Sequence, residues 1–400
     1  MSRYSRLAIV LSLVIVTFFL TWSDTLNIVK QYNYTSSVLH DDDKDTSDQF
    51  QPQQPQQSPQ QPPKEEEKPV EVKLGVPTSF NFPTVTKEQP PFPQIPEVSF
   101  TNDNSLPIRI YSHNVKNGGN HELVPGEQIW EHRVNPLVAS IRFHTLTPNS
   151  IVTLQEVYKY QMLDIMKELN RYEPHTWEYY GSGRIDGDEI GEFVPILWES
   201  EKWELIYSDT MWLNDKDPRS SLEGWDAIYA RIVSYVTLKH KATNVYVNVF
   251  NTHFDHIGTQ AQVGSAELII NRIKELNNWP SFLCGDLNIE PGSEPYKTLE
   301  KYFTNSVDIA SPFTRFGHTK STVTGFEGEV LMEGGQNIDY IFAPKYARSI
   351  DDVTEECNES TKLSLQLYQF GMLHSKYNGR YISDHRPLVA DYVVKKSSCV

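Results

Sequence analysis

Six short polar clusters carry the residues in this chain that could do chemistry, each at the carboxyl end of an apolar run or just before one. They are Asn114 in SHNV, Glu156 in TLQEV, His253 in NTHFDH, Asp286 and Asn288 in FLCGDLN, Asp339 in NIDYIF, and Asp384 with His385 in SDHRP. Glu156 and Asp384 are hard oxygen ligands suited to Mg²⁺ or Mn²⁺, and the scarcity of cysteine argues against a thiolate-bound metal. Asp286 and Asn288, two apart on a turn after a strand, can both point inward, one accepting from a water and the other donating to an anionic oxygen. His385 suits a general base if a carboxylate holds its other ring nitrogen, and Asp339 is the candidate for that task. His253 then donates to a non-bridging oxygen. Together these groups make a set for attack by water on a phosphorus ester. Taken singly, each has an ordinary reading: GDLN is a good turn signal, a Glu after a strand is commonly solvated, and a lone His is commonly a satisfied one. The expectation rests on the ordered set.

The elements that must position these clusters are mostly short strands. Candidates are 108–115, 151–155, 193–198, 203–207, 230–239, 245–252, 282–284, 338–342 and 388–394. Helix candidates are 128–143, 159–170 and 260–277, the last with Val263, Ala266, Ile269, Ile270 and Ile273 at helical spacing. Strands dominate and both faces need covering, which predicts an α/β (α+β) four-layer sandwich: two mixed sheets packed face to face with helices outside. Strand ends in such a sheet converge on one edge, where ligands collect.

The ordered set resembles the endonuclease/exonuclease/phosphatase, or deoxyribonuclease I-like, family over about residues 106–394. YGSGRIDGDEIGEFVPILW (180–198), TMWLNDKDPRSSLEGWDAIYARI (210–232), NTHFDHIG and TVTGFEG look especially like its metal-dependent hydrolase branch. The resemblance implies that Asn114 and Glu156 serve phosphate and metal, and that His253 donates to the scissile phosphate. It further implies that Asp286 and Asn288 align water and phosphate, that Asp339 orients His385, and that Asp384 lies beside the metal. Arg184 and Arg231, within the branch motifs, are candidates for additional phosphate grip, since Arg engages phosphate oxygens bidentately; structural ion pairing with acidic neighbours is the competing reading. Lys116 departs from better-known members, several of which carry an acidic residue or arginine there, so the number of metals stays open.

The remaining sequence bounds the setting. A net charge of −16 and a pI near 5.2 do not favour contact with a long polyanion, although an acidic protein of this kind is not barred from nucleic acid. After the short tail 1–6, Leu7–Trp22 runs without a charge, about 24 Å as a helix. It reads as a signal anchor, with a cleaved signal peptide as the alternative. Arg3 and Arg6 would stay cytosolic, making a single-pass type II membrane protein of the secretory pathway with a lumenal or extracellular body; the alternative is a secreted protein. Residues 23–105, rich in Pro and Gln, read as a disordered stalk ahead of a catalytic domain at 106–396, expected to be monomeric. Sequons at Asn33 and Asn358 suit that topology. Cys357 and Cys399 could form one bridge, with Cys284 a buried thiol. The leading function is a membrane-tethered, Mg²⁺- or Mn²⁺-dependent hydrolase of a phosphoester whose identity stays open. The alternatives are a secreted DNase-like endonuclease and, from another class, a catalytically inactive binding module.

Overall fold

The computed structural model describes residues 105–397, apart from 120, 148, 173–175, 327–334, 353 and 355. In chain order the elements are β1 (Ser105–Asn114), α1 (Trp130–His144), β2 (Ser150–Gln155), α2 (Lys159–Leu169), β3 (Trp177–Tyr180), β4 (Ile196–Glu199), β5 (Trp203–Trp212), β6 (Ile232–His240), β7 (Tyr246–His253) and α3 (Thr259–Leu276). They continue with β8 (Ser281–Asp286), α4 (Glu294–Glu300), β9 (Phe303–Asn305), α5 (Ser306–Ile309), β10 (Arg315–Gly317), β11 (Asp339–Pro344), β12 (Arg348–Ser349), β13 (Leu363–Met372), β14 (Lys376–Tyr377), β15 (Arg380–Tyr381) and β16 (Leu388–Lys396).

Two mixed sheets make the framework. The first runs β10-β13-β16-β1-β2-β4-β3, with β12 beside β13, and the second runs β5-β6-β7-β8-β11-β9. Alternation along the strands sorts side chains into layers, because successive residues point to opposite faces. On β8, Phe282 and Cys284 face the core between the sheets, while Leu283 joins the outer core. On β1, Ile108 and Ile110 face the same inter-sheet core and Tyr111 turns outward. The outer face of the first sheet is covered by Leu137, Val138 and Ile141 of α1 and Met162 and Ile165 of α2. Ile269, Ile270 and Ile273 of α3 and Leu299 of α4 cover the second. The result is a helix, sheet, sheet, helix sandwich. Strands buried on both faces read as continuous apolar runs.

Among the described residues no helix is long and apolar enough to cross a membrane. That finding corrects the expectation of a single-pass type II membrane protein. The segment Leu7–Trp22, the stalk and Asn33 lie outside the described residues. Asn358 lies in a turn whose backbone N–H groups, from Ser360 and Thr361, donate to its side-chain oxygen at 2.9 Å. Cys357 is disulfide-bonded and Cys284 is a free, buried thiol, while Cys399 lies outside the described residues.

Polar side chains stitch the two sheets beneath the converging strand ends. Asn251 of β7 donates to the carbonyls of Leu154 (2.7 Å) and Pro195 (2.8 Å) on the other sheet and accepts from Gln155 at 2.7 Å. At the opposite edge His240 bonds Thr243 at 2.8 Å and Asn149 at 3.0 Å through its two ring nitrogens. Burial lowers the His240 pKa to about 4, helped by Lys202, and burial lowers that of His113 to about 3. Both rings are neutral in the fold. The unfolded chain binds protons on them below about 6.5, so stability is present above that pH and is lost as pH falls towards 4 and 3. Chemical denaturation across this window should show that acid loss, and His240→Gln should remove on the order of 1–3 kcal/mol of it; an unchanged slope would refute the assignment.

Candidate active site

The topology explains why distant clusters meet. β1 and β2 run parallel, as do β7 and β8, so their carboxyl ends deliver Asn114, Glu156, His253 and Asp286 to one edge. The antiparallel strands β11 and β16 begin at that edge, placing Asp339 opposite Asp286 in register and His385 just ahead of Leu388. Gly285 is required immediately before Asp286: its φ is +143°, and a Cβ there would collide with the Thr252 carbonyl on β7. Glu156 and Asn288 hold positive φ of 57° and 51°, backbone that concentrates where side chains must be re-aimed at a site.

Asn114 sits at the centre. Its Nδ2 donates to Glu156 Oε1 and to Asp286 Oδ2, both at 2.9 Å, while its Oδ1 accepts the Lys116 N–H at 3.0 Å. Both amide hydrogens are therefore spent joining two carboxylates. Glu156 Oε2 accepts from the Asn117 side chain at 2.8 Å and backbone at 3.2 Å. Burial pushes Glu156 up, but Lys116, His253 and the Asn114 bond outweigh it and hold the carboxyl well below the usual range.

His385 Nδ1 lies 2.8 Å from Asp339 Oδ2, and its Nε2 is turned to Asp286 Oδ2 at 3.7 Å. Burial lowers the His385 pKa, yet Asp339, with Asp286 and Asp384, carries it well above the ordinary value. His253 Nε2 approaches the same Asp286 oxygen at 3.6 Å. Burial, with Arg231, keeps that ring neutral. Burial and Asp339 push Asp286 up to about 7. Asn288 caps Asp286 Oδ1 through its backbone N–H (3.1 Å) and donates its amide to the Phe254 carbonyl at 3.1 Å.

Asp384 stands apart from this cluster and faces the Lys116 ammonium at 3.7 Å. Arg184 and Arg231 come together across the cleft. Both guanidinium groups lie against the Tyr229 ring, at 4.9 and 5.6 Å, and both approach Glu192 Oε2, at 3.5 and 3.9 Å. Burial, with Glu156, pushes the Glu192 carboxyl up. The whole lines a cleft of about 1040 Å³, walled further by Tyr158, Tyr160 and His256.

Several positioning residues carry no strong signal in sequence. Asn117 links Glu156 to Glu192 (2.8 and 3.1 Å) and lies only three residues after Asn114. Ser383 donates to the Asn114 carbonyl at 2.6 Å and accepts the His385 N–H, so the Ser ahead of DHR is a brace. Thr322 accepts the N–H groups of Ile338 and Asp339, and Thr324 donates to the Asp384 carbonyl. Arg386 reaches the carbonyls of Lys320 and Ser321, fastening the same loop.

The chemistry of the donor set fits a divalent cation. Glu156, His253 and Asp286 each offer one ligand atom, all within 4.8 Å of one another; Asp286, Asp339 and His385 do likewise, but that set shares Asp286 with the first, and its Asp339 and His385 are bonded to each other at 2.8 Å.

A family model described as the endonuclease/exonuclease/phosphatase family matches residues 112–385, from the first of the six clusters to the last. The chain belongs to this family, whose members hydrolyse phosphoester bonds, and it is a hydrolase of that class. Among solved structures it is similar to an endonuclease/exonuclease/phosphatase of Bacteroides vulgatus, at 27% identity over 72% of this chain and 98% of that one, with a TM-score of 0.60. It is also similar to a mannosyl-6-phosphatase of Bacteroides thetaiotaomicron (25% identity, 71% and 99% covered, TM-score 0.59). A functionally unknown conserved protein of Enterococcus faecalis matches at 26% identity, with 71% and 98% covered and a TM-score of 0.58. An uncharacterized protein, R895, of Acanthamoeba polyphaga mimivirus is 24% identical over 189 residues, 40% of this chain, and the match spans only 27% of that relative's length.

The Asn114 bridge is testable without substrate. Asn114→Asp places a third carboxylate between Glu156 and Asp286, so the chelated protein should lose about 2–4 kcal/mol of stability. Mg²⁺ or Mn²⁺ should restore part of the loss in thermal melts; equal stability of variant and wild type under chelation would refute the bridge.

Proposed function

We propose that the protein is a divalent-metal-assisted hydrolase of small phosphomonoesters, sugar phosphates foremost. The observation that carries the reading is the geometry of the cleft: Asp339 holds His385 Nδ1 at 2.8 Å, which turns Nε2 towards Asp286, 3.7 Å away, beside the carboxylates that could hold a metal. Asp339 thereby fixes which ring nitrogen of His385 faces the cleft, and Nε2 and Asp286 Oδ2, 3.7 Å apart, flank one position there.

In this reading Asp286 and His385 hold the attacking water, and its oxygen forms the new bond to phosphorus as the bond to the leaving oxygen breaks. The water's proton passes to the Asp286–His385 pair, Asp339 stabilises the imidazolium, and the departing oxygen takes up a proton from solvent to leave as an alcohol. Neutral His253 offers a ring N–H to a phosphate oxygen, Asn288 keeps Asp286 aimed through its backbone N–H, and Arg184 and Arg231 supply charge across the cleft. Glu156 and Asp286 would hold the ion, with His253 within reach. When bound, a divalent ion neutralises charge on the phosphate oxygens. The monoester preference draws on the likeness to a mannosyl-6-phosphatase and on the acidic balance of −16, which does not favour a polyanionic strand.

His385→Ala should lower kcat by roughly 10²–10⁴-fold while the chain stays folded by circular dichroism; near-normal turnover would sink the relay. Chelation should abolish activity and Mg²⁺ or Mn²⁺ restore it. In a panel of sugar phosphates, inositol phosphates, nucleotides, phospholipids, RNA and plasmid DNA, the highest kcat/KM should fall on a sugar monophosphate. A maximum on DNA would replace this reading with that of an endonuclease.

A further inference from the structure

The two oxygens of Glu156 serve different sides of the site. Oε1 is tied through Asn114 to Asp286, on the side where His253 completes a ligand set. Oε2 faces Lys116, whose Nζ stands 3.6 Å from it and 3.7 Å from Asp384 Oδ2. Carboxylate ligands bind divalent cations at about 2.0–2.6 Å. An ion bridging Glu156 Oε2 and Asp384 would therefore have to occupy the space the ammonium fills.

The placement of this lysine is built into the backbone. Lys116 adopts φ +57°, its N–H is held by Asn114 Oδ1, and its carbonyl accepts from Arg133 Nη2 at 3.1 Å. Arg133, itself 1% exposed, also grips the carbonyls of Val115 (2.7 Å) and Asn117 (3.3 Å). The loop is pinned on both sides of residue 116, so the chain before the side chain cannot drift. Three-quarters of the Lys116 side chain is covered: 24% of its surface stays exposed. Asn117 also donates to Glu156 Oε2, but a cation between two carboxylates in so covered a place relieves their repulsion directly, and a tethered one costs only the ordering of its own side chain.

We propose that Lys116 is a resident cation occupying the position between Glu156 and Asp384, which limits this site to one divalent ion per chain, on the Glu156 and Asp286 side. The inference rests on the metal-assisted reading above. Asp384 then partners Lys116 and is not a metal ligand in the native chain.

The test is Mn²⁺ binding to the chelator-treated full chain, followed by calorimetry and by loss of the free-ion electron paramagnetic resonance signal. Wild type should take up one ion. Lys116→Gln, which removes the charge without adding a carboxylate, should take up two, and Lys116→Arg should return to one. One ion in both wild type and Lys116→Gln would overturn the proposal while leaving the metal-assisted reading intact, as would two in wild type or in Lys116→Arg. No uptake by wild type would overturn that reading and this proposal with it. Should Lys116→Gln fail to fold, Asp384→Asn with Lys116 present must still bind one ion; loss of that ion would overturn the assignment of Asp384.

Discussion

Mutual repulsion of carboxylates is the constraint on which this structure depends. Glu156, Asp286 and Asp339 are all buried and Asp384 is half-buried, all within one cleft, and unopposed charges in such a place would cost far more than a domain's net stability. Each has an answer nearby. Asn114 donates to two of them, His385 faces Asp339 and Asp286, and Lys116 stands between Glu156 and Asp384. The raised pKa of Asp286 is what remains uncompensated, and it is the part useful for chemistry.

Holding such groups at hydrogen-bond distances requires rigid supports, and the sandwich provides them. Asn114, Glu156, His253, Asp286, Asp339 and His385 stand on strand ends or on the loops that adjoin them. Those ends are fixed in turn by the stitch of Asn251 and Gln155 between the sheets and by the loop at Thr322–Thr324, which closes over Asp339 and Asp384. The bonds made by Asn251, Gln155 and Thr322 run between separate elements, so they specify the mutual arrangement of those elements as well as stabilising it. The second layer of support, Arg133 on the loop 115–117 and Ser383 on the Asn114 carbonyl, contains no group that need touch a substrate.

The strand and helix positions were largely legible because apolar periodicity reports burial directly. All nine expected strands and all three longer helices are present, with ends displaced by a few residues. β13 was missed although LSLQLYQFGM alternates cleanly through Leu363, Leu365 and Leu367; the pairing slips between Leu367 and Gln369, and the alternation breaks with it. The short strands β9, β10 and β12 have too few residues for any period to register. Arg184 and Arg231 were legible as cleft candidates, but their shared carboxylate, Glu192, was only one acid among several in its motif.

By itself the sequence determined the alternation that sorts residues into layers, the six clusters in order, and hence the family, because these depend on residue type and local spacing. Only the tertiary structure decided which oxygen of which carboxylate meets which donor. Asn114 and Asp286 are 172 positions apart and His385 and Asp339 are 46 apart, and the packing of one sheet on the other, β1 against β8 and the start of β16 against β11, sets those contacts. The same holds for Lys116: its type was plain in the chain, but its place between Glu156 and Asp384 follows from a pinned loop and two strand ends brought together by the fold.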